Sequence, residues 1–147
     1  MAASRFVCVI RDRLPTGKIE INMLDYARQR ALHSLGTPRI AVLVTSGPAG
    51  VQASEFRCEV IELVLYLLVP QTSDHLFNLE YDASVTVLTA GCELKGKGHI
   101  ISRDTPHLDL DLWREPGAAW CSLVRVKISQ VQIRNERGWG HLETIDL

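Results

Sequence analysis

From residue 39 onward the chain reads at period two, and this constrains its fold more than any other feature. "RIAVLVT" (39 to 45), "SEFRCEVI" (54 to 61), "LVLYLLV" (63 to 69), "ASVTVLTA" (83 to 90), "ELKGKGHIIS" (93 to 102), "AWCSLVRVKIS" (119 to 129) and "QVQIR" (130 to 134) alternate, or run in β-branched and apolar residues. Such stretches are strands. Turns such as "SGPAG" (46 to 50) and "REPG" (114 to 117) separate some of them. Two helical segments among six or seven strands do not make alternating βαβ units, so a doubly wound parallel sheet is disfavoured. The pattern fits an antiparallel barrel, whose closure hides the strand edges.

Ahead of the strands, "NMLDYARQRALHSLGTP" repeats Leu24, Ala27, Ala31 and Leu35 at three- and four-residue steps. Asn22 with Asp25 can cap its start, and Gly36 and Pro38 stop it, which predicts one amphipathic helix. "RFVCVI" near the start reads as a strand and "LPTGKI" as turn chemistry, with no register assignable before residue 20. A chain of 147 residues with 46% hydrophobic content supports one core, so we expect a single domain over 1–147, with residues 1–20 as an N-terminal extension.

Sixteen basic residues nearly balance seventeen acidic ones, and no basic stripe suggests nucleic acid. "LVLYLLVP" (63 to 70) is too short to cross a bilayer, and "MAASRFVCVIRDR" lacks the apolar run of a signal peptide, so the expected location is cytoplasmic. Cys8, Cys58, Cys92 and Cys121 form no C-x-x-C pair and read as reduced, packed thiols. Only Cys58, beside Arg57, has the neighbouring cation that a reactive thiolate needs.

Between the strands ending at Val69 and starting near Ala83, residues 72 to 80 can form two helical turns with Leu76 and Leu79 facing inward. Thr72 or Ser73 stands at the N-cap. A helix start offers unpaired amides and a positive dipole end, a ready phosphate site, although a Ser or Thr there also serves simply as a cap.

This order of elements, with "LYLLVPQTSDHLFNLEYDASVTVLTAGCELKGKGHIIS", "SLVRVKISQVQI" and the ending "GWGHLETIDL", resembles the pyridoxamine 5'-phosphate oxidase-like family of FMN-binding split β-barrels over roughly residues 20 to 147. The family's hydroxyl-bearing turn, "NL" element and "D-x-x-V-x-V" strand correspond to Thr72, Ser73, Asp74, His75, Asn78, Leu79, Asp82, Val85 and Val87. The resemblance implies a mainly β fold with minor α: a six- or seven-stranded antiparallel split β-barrel with an N-terminal helix and a short internal helix. It further implies a homodimer with the cofactor groove at its interface, and FMN as cofactor of an oxidoreductase acting on a small molecule.

The cofactor-binding residues it implies are Thr72, Ser73 and His75 at the phosphate, the strand Arg57, Cys58, Glu59 and Val60 along the ring, and Trp139 near the C-terminal strand. The chain departs from the family where Arg and Lys commonly follow the hydroxyl residues. Asp74 and His75 stand there, an anion and a histidine that is fully cationic only below its ordinary pKa of about 6.5. The same departure suits a barrel that has lost FMN and serves as a binding or regulatory module, and a relative using haem or a deazaflavin fits the same groove.

Other constellations are weaker. His107, Asp109 and Asp111 in "PHLDLDLW" alternate and would share one face of an extended segment, as a metal set or as an ordinary solvated face. His99 and His141 sit in strand-like settings without an identifiable partner. Trp113 and Trp120 read as core or interface residues. The sequence contains no G-x-S-x-G elbow, P-loop or dinucleotide-binding glycine motif.

Overall fold

The structure, a computed structural model, describes residues 7–10, 19–105, 108–134 and 141–147. β1 (Val7–Ile10) and β2 (Ile19–Asn22) pair as a separate antiparallel ladder ahead of α1 (Met23–Leu35). The main sheet contains β3 (Ile40–Thr45), β4 (Gln52–Ile61), β5 (Val64–Pro70), β6 (Ser84–Leu88), β7 (Cys92–Ile101), β8 (Cys121–Arg134) and β9 (His141–Asp146), with α2 (Asp74–Tyr81) between β5 and β6. Its order is β5-β4-β3-β6-β7-β8-β9, every pairing antiparallel. A further pairing of β5 with β8 closes the first six strands into a barrel and leaves β9 outside it. The expected antiparallel barrel with an N-terminal and an internal helix is the fold observed.

The sequence pattern explains the barrel. Inward positions such as Leu43, Leu65, Leu67, Val87, Leu94, Val124 and Val126 are fully buried, and their strand neighbours are less so. β5 departs from alternation because both of its faces are covered. Leu65, Leu67 and Val69 face the barrel, whereas Tyr66 and Leu68 pack beneath an outer layer of Leu110, Leu112, Ala118 and Leu123. A continuous apolar run is the signature of a strand buried on both faces.

Two helices complete the core. Ala31 and Leu35 of α1 are buried, Ala27 packs against the core, and Arg30 pairs with Glu143 of β9 at 3.1 Å. Leu24, expected on the same face, is exposed. Gly36 ends the helix at φ +63°, its amide donating to Leu32 O at 3.0 Å, the left-handed C-cap that glycine adopts without strain.

Two expectations change, and two strands are added. The stretches 119 to 129 and 130 to 134 form one strand, β8, in which a register shift opposite Lys95/Gly96 absorbs an extra residue without breaking the ladder. The 107 to 112 stretch is not extended throughout, because Asp111–Arg114 forms a 3-10 turn that drives Leu110 and Leu112 into the outer layer. β2 and β9 carry too little periodicity to be read from sequence.

Candidate functional site

The strand implicated as a flavin support lines a hollow. Cys58, Glu59 and Val60 of β4 border a space of about 460 Å³ together with Thr37, Pro38 and Arg39 of the α1–β3 loop and Asp111, Leu112 and Glu115 around the 3-10 turn. That volume lies within the range of small-molecule sites, about 300–1,000 Å³. The charges lining it are three carboxylates, Glu59, Asp111 and Glu115, against the single cation Arg39. A phosphate would be repelled here, and a neutral ring would not.

Glu59 also shapes the wall. One of its carboxylate oxygens accepts from the Asp111 amide at 2.9 Å and so fixes the start of the 3-10 turn. Cys58 is buried and donates from Sγ to Pro38 O at 3.4 Å. Burial first, and the neighbouring Glu59 carboxylate second, push its thiol up to about 12. Arg57 does not offset this, because adjacent strand residues point to opposite faces and Arg57 is exposed. Cys58 is therefore a packed thiol and not a thiolate nucleophile. Arg57 stands beside Cys58, whose partner Leu67 lies on the strand leading into the turn at 71 to 73.

At that turn Ser73 is the N-cap of α2, its Oγ accepting from the His75 amide at 3.2 Å. The Ser73 amide donates to Pro70 O at 2.9 Å and the Leu76 amide to Ser73 O at 3.2 Å. Three of the amides that would greet an anion are thus engaged. Thr72 and Asp74 are exposed, and the hydroxyl protons of Thr72 and Ser73 are donors the turn can still offer, beside the Asp74 amide at the helix start. Trp139 lies outside the described residues.

His75 does not present its ring at the surface of this turn. Only 2% exposed, it turns inward beneath Phe56, the two rings edge-on at 5.3 Å and 80°. Its Nδ1 lies 2.8 Å from Thr45 Oγ1. Asn78 completes the cluster: its Oδ1 accepts from the Ala49 amide at 3.0 Å, and its Nδ2 donates to Gly50 O at 2.9 Å and to Thr45 Oγ1 at 3.2 Å. The Thr45 hydroxyl accepts from Asn78 and shares a hydrogen bond with His75 Nδ1, which leaves Nε2 as the imidazole's other polar atom. That nitrogen has no partner among the described residues. The inward face of α2 is therefore His75, Asn78 and Leu79, a polar bolt between the helix and the β3–β4 turn. The sequence's "NL" element marks Asn78 but gives no sign of this role.

Burial holds His75 below its ordinary 6.5, and Asp74 opposes this more weakly. Between the folded and unfolded pKa values the unfolded chain binds a proton that the folded chain does not, so stability falls as pH drops through 6.5. We expect the urea midpoint of the protein to fall between pH 7.5 and 5.5, and that of His75→Leu to fall less. Equal slopes would remove His75 as the cause.

Among the described residues no group of three or more His, Cys, Asp or Glu side chains is placed to hold a metal ion. His107 lies outside the described residues, Asp109 is exposed, and Asp111 pairs with Arg114 at 2.9 Å. Trp113 packs against the outer layer under Arg103, whereas Trp120 is 76% exposed. His99 is exposed, and the His141 side chain is among those not described.

No family model and no curated protein matches this chain. Solved structures do. A Clostridium acetobutylicum protein related to general stress protein 26, of the pyridoxinephosphate oxidase family, superposes with a TM-score of 0.56 at 13% identity, over 84% of this chain and 94% of its own. The fold is that of the pyridoxamine 5'-phosphate oxidase-like split barrels. Within this fold, an FAD-binding protein from Mesorhizobium loti superposes at TM-score 0.53 and 13% identity, over 70% of this chain and 90% of its own. A heme-binding protein from Mycobacterium smegmatis does so at 0.61 and 16%, over 82% of this chain and 57% of its own. Among the described residues no helix of the split barrel is long and apolar enough to cross a membrane.

Proposed function

We propose that this split barrel binds FMN and serves as a flavin-dependent oxidoreductase of the pyridoxamine 5'-phosphate oxidase-like type, acting as a cytoplasmic homodimer in which a second copy closes the groove. The observation that carries the reading is the hollow along Cys58, Glu59 and Val60, of suitable volume and with a charge balance that suits an uncharged ring better than a phosphate. The FAD-binding and heme-binding neighbours support a planar, ring-bearing cofactor in this fold.

The residues fit such a group in two parts. The edge of β4 would hold the ring, with Glu59 keeping the 3-10 turn in place as the opposite wall. The Thr72 and Ser73 hydroxyls would donate to the phosphate, and Arg57 on the neighbouring strand would supply the cation that the turn lacks. When bound, the flavin itself supplies the hydride and electron transfer. Cys58, held as a thiol, contributes packing.

Filling the hollow is the test. Thr37 is exposed and lines it. Thr37→Trp is expected to weaken both FMN and riboflavin by at least about tenfold, roughly 1.4 kcal/mol, in a fluorescence-quenching titration, with the urea midpoint unchanged. Unaltered affinity would place the ring elsewhere.

The second reading, a cofactor-free binding or regulatory barrel, draws on the inward His75 and exposed Asp74, which leave no cation in the turn itself. A barrel using haem or a deazaflavin belongs with it, and the absorption spectrum of loaded protein separates haem from flavin.

A further inference from the structure

We propose that a second hollow, on the outer face of the barrel where β6, β7 and β8 meet, binds the phosphate group of a small anion. The inference does not rest on the flavin reading. The hollow, about 460 Å³, lies at the Val44–Ser46 end of β3 and shares no lining residue with the hollow at Thr37–Arg39. At about 3.3 Å per residue, β3 separates the two by roughly 20 Å.

Its chemistry is one-sided. Lys95 and Lys97 line it with the hydroxyl residues Thr45, Ser46, Ser84, Thr86 and Ser129, of which Thr45 is engaged with His75 and Asn78, and the lining contains no carboxylate. The strand register produces this grouping. Lys95 and Lys97 are both exposed, two apart on β7, and stand opposite Thr86 and Ser84 of β6. On the other side Lys97 stands opposite Lys127 of β8. Like charges directly opposed across a ladder are unfavourable unless an anion joins them.

Neither of the ion pairs Arg30–Glu143 and Arg114–Asp111 involves these lysines. The carboxylate that senses Lys97 is Asp82, exposed at the end of α2. The Ser84 amide, and less strongly Lys97, hold that carboxyl below its ordinary range.

The β7–β8 irregularity builds the site further. Lys95 is opposite Gln130 and Gly96 opposite Ile128, so Ser129 is the extra residue and points outward. Its Oγ donates to Lys95 O at 3.1 Å, and Lys97 Nζ donates to Ser84 Oγ at 2.5 Å. Bulges of this kind re-aim side chains beside binding sites. Two ammonium groups and the Ser46, Ser84 and Thr86 hydroxyls around one hollow match the three oxygens and the double charge of a phosphate group.

The test is calorimetric titration with inorganic pyrophosphate at low ionic strength. The wild type is expected to bind saturably. Lys95→Gln/Lys97→Gln should weaken binding at least about tenfold, because charge-assisted hydrogen bonds are lost. Arg28→Gln, which removes an exposed cation of α1 away from either hollow, should leave it unchanged. No saturable binding by the wild type, undiminished binding by the lysine variant, or equal loss in the Arg28 variant would each overturn the proposal. Displacement of pyrophosphate by FMN but not riboflavin would assign the phosphate to a flavin; no displacement would assign it to a separate anion, and either result upholds the hollow as a phosphate site.

Discussion

Gly96→Ala is expected to cost at least about 3 kcal/mol, lowering the thermal midpoint by roughly 6–12 °C for a chain of this size. A Cβ at this position would lie 2.2 Å from Lys127 O, 3.0 Å from Lys127 C and 3.2 Å from Ile128 Cα, all backbone atoms of β8. Backbone cannot yield without opening the β7–β8 ladder, and β8 also closes the barrel through β5. Gly98 is the comparison. Its added Cβ would meet side-chain atoms of Leu79 at 3.1 Å and Val85 at 3.3 Å, which can shift by a few tenths of an ångström, so Gly98→Ala should cost clearly less. Circular dichroism melts check both, and a Gly96→Ala midpoint within about 2 °C of the wild type would contradict the argument.

Asn78→Ala ranks second. Asn78 is fully buried, and its amide satisfies the Ala49 N–H, the Gly50 carbonyl and the Thr45 hydroxyl. Truncation strands those partners and leaves a void. An unsatisfied buried polar group costs about 1–3 kcal/mol, so the expected loss is about 3 kcal/mol in urea unfolding, seen as a lower midpoint at unchanged slope. Asn78→Leu should be similarly damaging, since it restores volume but no hydrogen bonds. A loss below about 1 kcal/mol for either would mean that other donors take over, contrary to the account.

These residues also show where reading the sequence succeeds and where it stops. The barrel was legible because burial imposes period two on each strand, and the internal helix was legible because Ser73 caps it. What the helix buries was not. Periodicity assigns Leu76 and Leu79 to the inward face, yet His75 and Asn78 are buried more completely, because their polar atoms meet Thr45 and the β3–β4 turn. Partners thirty or so residues away leave no local pattern. The strand Cys58 to Val60 came from family resemblance, and it does border a hollow. The far wall at Asp111, Leu112 and Glu115 was hidden because the outer layer folds back over β5. The lysine hollow was invisible for a related reason. "ELKGKGHI" looks like an ordinary amphipathic strand until the bulge opposite Gly96 brings Ser129 beside it.

The central claim is that this split barrel holds a flavin by its ring along β4 and by its phosphate at Thr72 and Ser73. Titrating purified protein with FMN, with riboflavin as the phosphate-free control, tests it most directly through quenching of flavin fluorescence. The account predicts saturable binding of both in the micromolar range, with FMN tighter by about tenfold, the equivalent of one charge-assisted hydrogen bond. Failure of either flavin to bind saturably would contradict it and leave Ser73 as a helix cap alone.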